Sequence, residues 1–148
     1  MGLDTTHDCW HGAYSAFMRW RETLARIAGY PPLRLMEGFY RLGEWDDPVA
    51  RLEEKGYQFL ADSLRGSLPI SWEMFRDDPL ITLLNHSDCE GEIAASDCGA
   101  IANRLQELVP KLPQGDAPGH IGDWRDKTEA FINGLRDAAQ AGEPVEFH

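Results

Sequence analysis

"SDCGAIANRLQELVPKL", Ser96 to Leu112, carries the plainest structural signal in the chain. Ile101, Leu105, Leu108 and Val109 recur at helical spacing, so one stripe of a helix is apolar. Ser96 or Asp97 is expected to cap its start. The residues just before it are "LLNHSDCEGEI", Leu83 to Ile93. Before them, Asp77-Asp78-Pro79 has the acids and the proline that suit a helix N-terminus, giving a helix from about Pro79 to Asn85. The order is therefore helix, acidic loop, helix over 79–110. That unit sets the expected fold class as mainly α, with α+β as the alternative.

Working outward, "DWRDKTEAFINGLRDAAQAG" is a second amphipathic helix. Trp124, Thr128, Phe131, Leu135 and Ala138 share one face, and Gly142 stops it. Pro144 leads into "VEFH", whose alternation allows a short C-terminal strand. Near the other end, "HGAYSAFMRWRETLARIAGY" places Phe17, Trp20, Leu24 and Ile27 at helical spacing. Gly29 ends it, Pro31-Pro32 prevent a restart, and Thr5, Thr6 or Asp8 is expected to cap it. "PPLRLMEGFYRLGEWDDP" and "PQGDAPGHIG" read as loops. "DPVARLEEKGYQFLADSLRG" reads as helical turns interrupted near Gly56, and "SLPISWEMF" as a short strand or irregular segment. The expectation is one globular domain, 1–148, of about four to five helices.

Composition narrows the function. With 148 residues and 43% apolar content the chain can bury a core. Its formal net charge of −11 repels nucleic-acid polymers and anionic membranes. The densest basic stretch is Arg19, Arg21 and Arg26 with Glu22 among them, too little for a groove binder. No apolar run approaches the roughly 20 residues of a membrane span. Cys9, Cys89 and Cys98 make an odd count without a secretory signal, so reduced thiols and a cytoplasmic location are expected. There is no repeat of solenoid length. The one echo, "SDC" at Ser87–Cys89 and Ser96–Cys98, reads as two capping devices.

The loop holds most of the candidate chemistry. It resembles an EF-hand calcium loop: Gly91 falls on the central glycine, Ile93 on the apolar position, Asp88 and Glu90 on the third and fifth, and Asp97 on the twelfth. Glu92 adds a further oxygen, so Asp88, Glu90, Glu92 and Asp97 are the calcium candidates. His86 at the first position departs from the pattern, because calcium prefers oxygen. Asp97 also stands where a bidentate Glu is usual. The bland alternative is turn chemistry, with Gly91 taking a positive φ and Asp88 forming an Asx turn. Zinc on His86, Asp88, Cys89 and Cys98 lacks a second close pair, which only His7, Cys9 and His11 folding back would supply. A Cys89–His86 nucleophilic pair needs the two side chains within hydrogen-bond reach. Sequence adjacency likewise makes no triad of His86, Ser87 and Asp88.

The first helix supplies a second set: His11, Tyr14, Ser15, Trp20 and Arg21. Arg21 borders the apolar stripe, so its guanidinium must find a partner. A carboxylate or phosphate suits its fork, and Asp88 or Glu92 would serve internally. Tyr14 and Trp20 are candidates to stack on a ring.

The stretches "HGAYSAFMRWR", "LLNHSDCEGEI" and "FINGLRDAAQAGEPVEFH" together resemble a family of small uncharacterised proteins of bacteria and their phages. That resemblance covers most of the chain and supplies no catalytic residues. It implies that the two polar stretches belong to one composite site, with His11, Tyr14, Ser15 and Arg21 facing His86, Ser87, Asp88 and Cys89. It also suggests an adaptor, inhibitor or sequestering role. The expected function is a non-catalytic binding protein for a small polar or nucleotide-like ligand, without a cofactor. The alternatives are a protein–protein module acting through an acidic face, a calcium module and, last, an enzyme.

Overall fold

The computed structural model describes residues 2–40, 47–117 and 122–148, with backbone only at 116 and 117. The loop readings for 41–46 and 118–121 lie outside the described residues. The chain begins with β1 (Gly2–Asp4), a helical turn at Thr6–Asp8 and β2 (His11–Ala13), then runs into α1 (Tyr14–Ile27). After a turn at Leu33–Leu35 come α2 (Pro48–Glu54), α3 (Gln58–Arg65), a turn at Trp72–Phe75 and α4 (Leu80–Leu84). The remainder is β3 (Glu92–Ile93), α5 (Ala95–Leu108), β4 (Asp116–Ala117), β5 (Gly122–Asp123), α6 (Trp124–Ala141) and β6 (Val145–Glu146). The fold is mainly α, with six α-helices among the described residues and three small antiparallel pairings. None of those helices is long and apolar enough to cross a membrane.

The apolar stripes decide the packing. α5 and α6 lie against each other and bury Ile101, Leu105 and Leu108 on one side and Phe131, Leu135 and Ala138 on the other. The aromatic residues of α1 close the core: Trp20 stacks on Trp10 at 5.1 Å and meets Phe131 at 4.8 Å. The Trp20 indole N–H donates to Thr128 Oγ1 at 2.9 Å, and the Thr128 hydroxyl donates to the Trp124 carbonyl at 2.7 Å. A buried polar handle is thus satisfied without water. Gly134 of α6 lets the N-terminal turn approach: a Cβ there would collide with Cys9 Sγ and stand 2.6 Å from the His7 carbonyl oxygen. Burial against that helix pushes the Cys9 thiol up to about 12. Among the described cysteines, Cys9 and Cys98 are buried and Cys89 is exposed, all as free thiols.

Several expected boundaries hold. Gly29 follows the end of α1 with φ +87°, Gly56 separates α2 from α3 at φ +85°, and Gly142 ends α6 at φ +70°. The C-terminal strand forms, β6 pairing with β3 so that Ile93 faces Val145. On its other side, Asp4 and His148 exchange backbone hydrogen bonds of 2.9 Å. Three expectations fail. His11–Ala13 is a strand paired with Gly2–Asp4 rather than the first turn of a helix. Ala13, with none of Thr5, Thr6 or Asp8, occupies the N-cap of α1. Ala94, not Ser96 or Asp97, occupies that of α5. In both cases a strand delivers the chain into the helix, so paired backbone sets the entry that a capping side chain would otherwise fix.

Candidate functional site

The two polar stretches do meet, but around a filled interior. Arg21 is 2% exposed. Its Nη1 donates to the carbonyl oxygens of Leu84 and His86, its Nη2 points at Met18 Sδ, and the guanidinium lies 4.6 Å from the Phe17 ring centre. Arg21 therefore closes the carbonyl end of α4, where helix carbonyls lack partners and positive charge is favoured. Burial lowers its pKa to about 10, with the Asp88 and Glu22 charges opposing the fall, so it stays a cation at neutral pH. No carboxylate bonds it among the described residues, which corrects the expectation of an Asp88 or Glu92 partner. Its Nε is buried without a hydrogen-bond partner among the described residues.

His86 is held in the same spirit. Its Nδ1 lies 2.8 Å from the Ser87 carbonyl and its Nε2 3.1 Å from the Glu92 carbonyl. The ring stacks on Phe147 with centres 4.0 Å apart, and Phe147 in turn meets Phe17 at 6.0 Å. Phe147 thus occupies the space where a ligand between α1 and the loop was expected. Gly91 shapes the loop: its φ is +92°, and a Cβ there would stand 3.4 Å from the His86 ring. Ser87, rather than Asp88, makes the turn, its hydroxyl accepting from the backbone N–H groups of Cys89 and Glu90.

The remaining members of the composite site are spread out. Trp20 is fully buried and spent on Thr128, so it offers no stacking face. Tyr14 is half-buried and Ser15 exposed. His11 is exposed and bonded to Asp4 and Asp8 of its own hairpin, at 2.8 and 3.1 Å. Cys89 Sγ lies 3.5 Å from Ser87 Oγ, while the His86 nitrogens face carbonyls, so no Cys–His pair forms. Asp88, Glu90, Glu92 and Asp97 do not converge as calcium would require. Among the described residues, no group of three or more His, Cys, Asp or Glu side chains could hold a metal ion.

A different face of α1 borders an open cleft of about 910 Å³. Arg19, Glu22, Thr23 and Arg26 form one wall. Tyr30, Pro31, Pro32, Leu33 and Arg34 form the turn below it, and Pro113, Gln114, Gly115 and Trp124 stand opposite. The walls are fixed from behind. The Tyr30 hydroxyl donates to Asp78 at 2.8 Å, and Asp78 also receives the Leu80 N–H and Arg104 Nε. Burial alone would raise the Asp78 carboxyl, yet these three donors together hold it below its ordinary value. Burial beside Asp78 raises the Tyr30 phenol, so it remains a donor at neutral pH. The opposite wall is pinned by Arg125, which donates to the Leu112 and Pro110 carbonyls, and by Asp123, which accepts from the Gly115 N–H.

The cleft inverts the charge of the molecule. Arg34 pairs with Glu22 at 3.6 Å. Arg19 and Arg26 are exposed, and neither side chain has an ion pair or hydrogen bond among the described residues. The sequence shows both arginines, but as a stretch too sparse for nucleic acid. Their seven-residue spacing, two turns on one helix face, is the signal that marks a shared wall. Comparison with protein-family models, curated proteins and solved structures finds no match to this chain.

Proposed function

We propose that this protein is a non-catalytic binding protein for a small anionic ligand, seated in the cleft between α1 and the loop at Pro113–Gly115. One observation carries this reading: two arginines without partners among the described residues face a largely apolar cleft in a chain of net charge −11. An unpaired guanidinium is free to offer its fork to a carboxylate, sulfonate or phosphate. The volume suits a drug-sized molecule, and apolar walls with few polar anchors are what such sites present. The location differs from the one expected at the His86 loop, because Arg21 and His86 already hold each other and Phe147. The sequestering role suggested by the resemblance is one way in which such a binder would act.

The test is titration with anilinonaphthalene sulfonate, an apolar anion whose emission rises on burial. The double variant Arg19→Ala, Arg26→Ala is expected to weaken binding by about tenfold or more, since each charge-assisted contact contributes on the order of 1.5 kcal/mol. Arg136→Ala, on the exposed side of α6, is expected to leave it unchanged. Equal affinity in all three proteins would place the probe elsewhere and remove the proposal.

A further inference from the structure

The arrangement of charges along the cleft points to a more specific ligand: an elongated dianion with an acid group at each end of an apolar spacer. This inference rests on the cleft being the binding site. Arg19 and Arg26 are seven residues apart on α1, so their Cα atoms stand about 10 Å apart along the helix axis. Between them lies Glu22, already engaged with Arg34. Beside it, the Thr23 hydroxyl donates to the Arg19 carbonyl at 2.9 Å and so has no proton left for a ligand. The wall is therefore cationic at both ends, with the charge-compensated Glu22–Arg34 pair in the middle. A compact polyanion centred there would have to compete with Glu22 for Arg34. A monoanion would engage one arginine and leave the other idle. A dianion spanning the two ends avoids Glu22 and lays its spacer along Pro31, Pro32 and the Trp124 edge. Those surfaces reward apolar burial and offer the middle of a ligand no charge.

The experiment is calorimetric titration of the full chain with the straight-chain dicarboxylates adipate, suberate, sebacate and dodecanedioate. Octanoate and decanoate serve as monoanionic references. Suberate and sebacate, whose extended lengths bracket the arginine spacing, are expected to bind best. Their advantage over the monocarboxylate of equal carbon number should be about tenfold, the worth of one added charge-assisted contact. Arg19→Ala and Arg26→Ala should each reduce the dicarboxylate to the affinity of its monocarboxylate, while octanoate loses little with either one alone. Both residues are exposed, so these variants keep the fold, which circular dichroism verifies. Equal affinity for suberate and octanoate, both lost in the double variant, would overturn the dianion and leave the cleft as an anion site. Binding of no acid, or binding indifferent to both arginines, would overturn the two readings together.

Discussion

His11 shows how one residue can be committed by its neighbours. Asp4 takes its Nδ1 and Asp8 its Nε2, and both carboxylates are pure acceptors. Only the doubly protonated ring can donate to both, whereas a neutral ring sets a lone pair against one carboxylate. The hydrogen bonds to Asp4 and then Asp8 accordingly raise the His11 pKa above its ordinary value. A raised folded-state pKa gives stability that is fully present below the unfolded value, about 6.5, and is lost as pH rises through the folded one. The clamp is exposed and therefore screened by salt. We expect the melting temperature of the native chain to exceed that of His11→Gln at about pH 6, with the difference closing towards about pH 9. A ring resonance of His11 that titrates at or below the ordinary histidine midpoint would contradict this account.

The C-terminal segment is the element that decides what kind of site the first helix and the His86 loop can make. β6 pairs with β3, the Phe147 N–H donates to the Gly91 carbonyl at 2.9 Å, and the Phe147 ring wedges between His86 and Phe17. Phe147→Ala is expected to cost about 3 kcal/mol in urea unfolding, the lower end for a buried Phe truncation. It should also speed amide exchange at Gly91–Ile93. A loss under about 1 kcal/mol would mean that the ring is a lid rather than a wedge. The strand itself was legible in the alternation of "VEFH", and the long helices in their periodic stripes, because both are local patterns. The meeting of Arg21 with the loop was half legible. The guanidinium had to find a partner, but backbone carbonyls at a helix end leave no mark in a sequence. Phe147 and the wall at Pro113–Gly115 come from distant segments, so neither the filled interior nor the cleft follows from spacing on α1. The caps failed for a related reason: β2 and β3 run straight into α1 and α5, and strand pairing is a long-range fact.

At the scale of the whole molecule, two electrostatic effects of opposite sense coexist. A net charge of −11 on 148 residues makes the folded surface repel itself, which favours the expanded chain. The cleft, with Arg19 and Arg26 unpaired among the described residues, draws anions towards the same surface. Raising sodium chloride from about 10 mM to about 150 mM shortens the screening length from about 30 Å to about 8 Å. Self-repulsion then falls, and the protein alone should melt a few degrees higher. Over the same range, affinity for an anionic probe should fall several-fold, because the attraction that guides it to the arginines is screened. Measured side by side by calorimetry and fluorescence titration, the two slopes are expected to have opposite signs. The Arg19→Ala, Arg26→Ala variant should keep the first and lose most of the second. A probe affinity that ignores salt in the native chain would show that apolar burial alone holds the ligand, and the arginines would then be surface charges without a binding role.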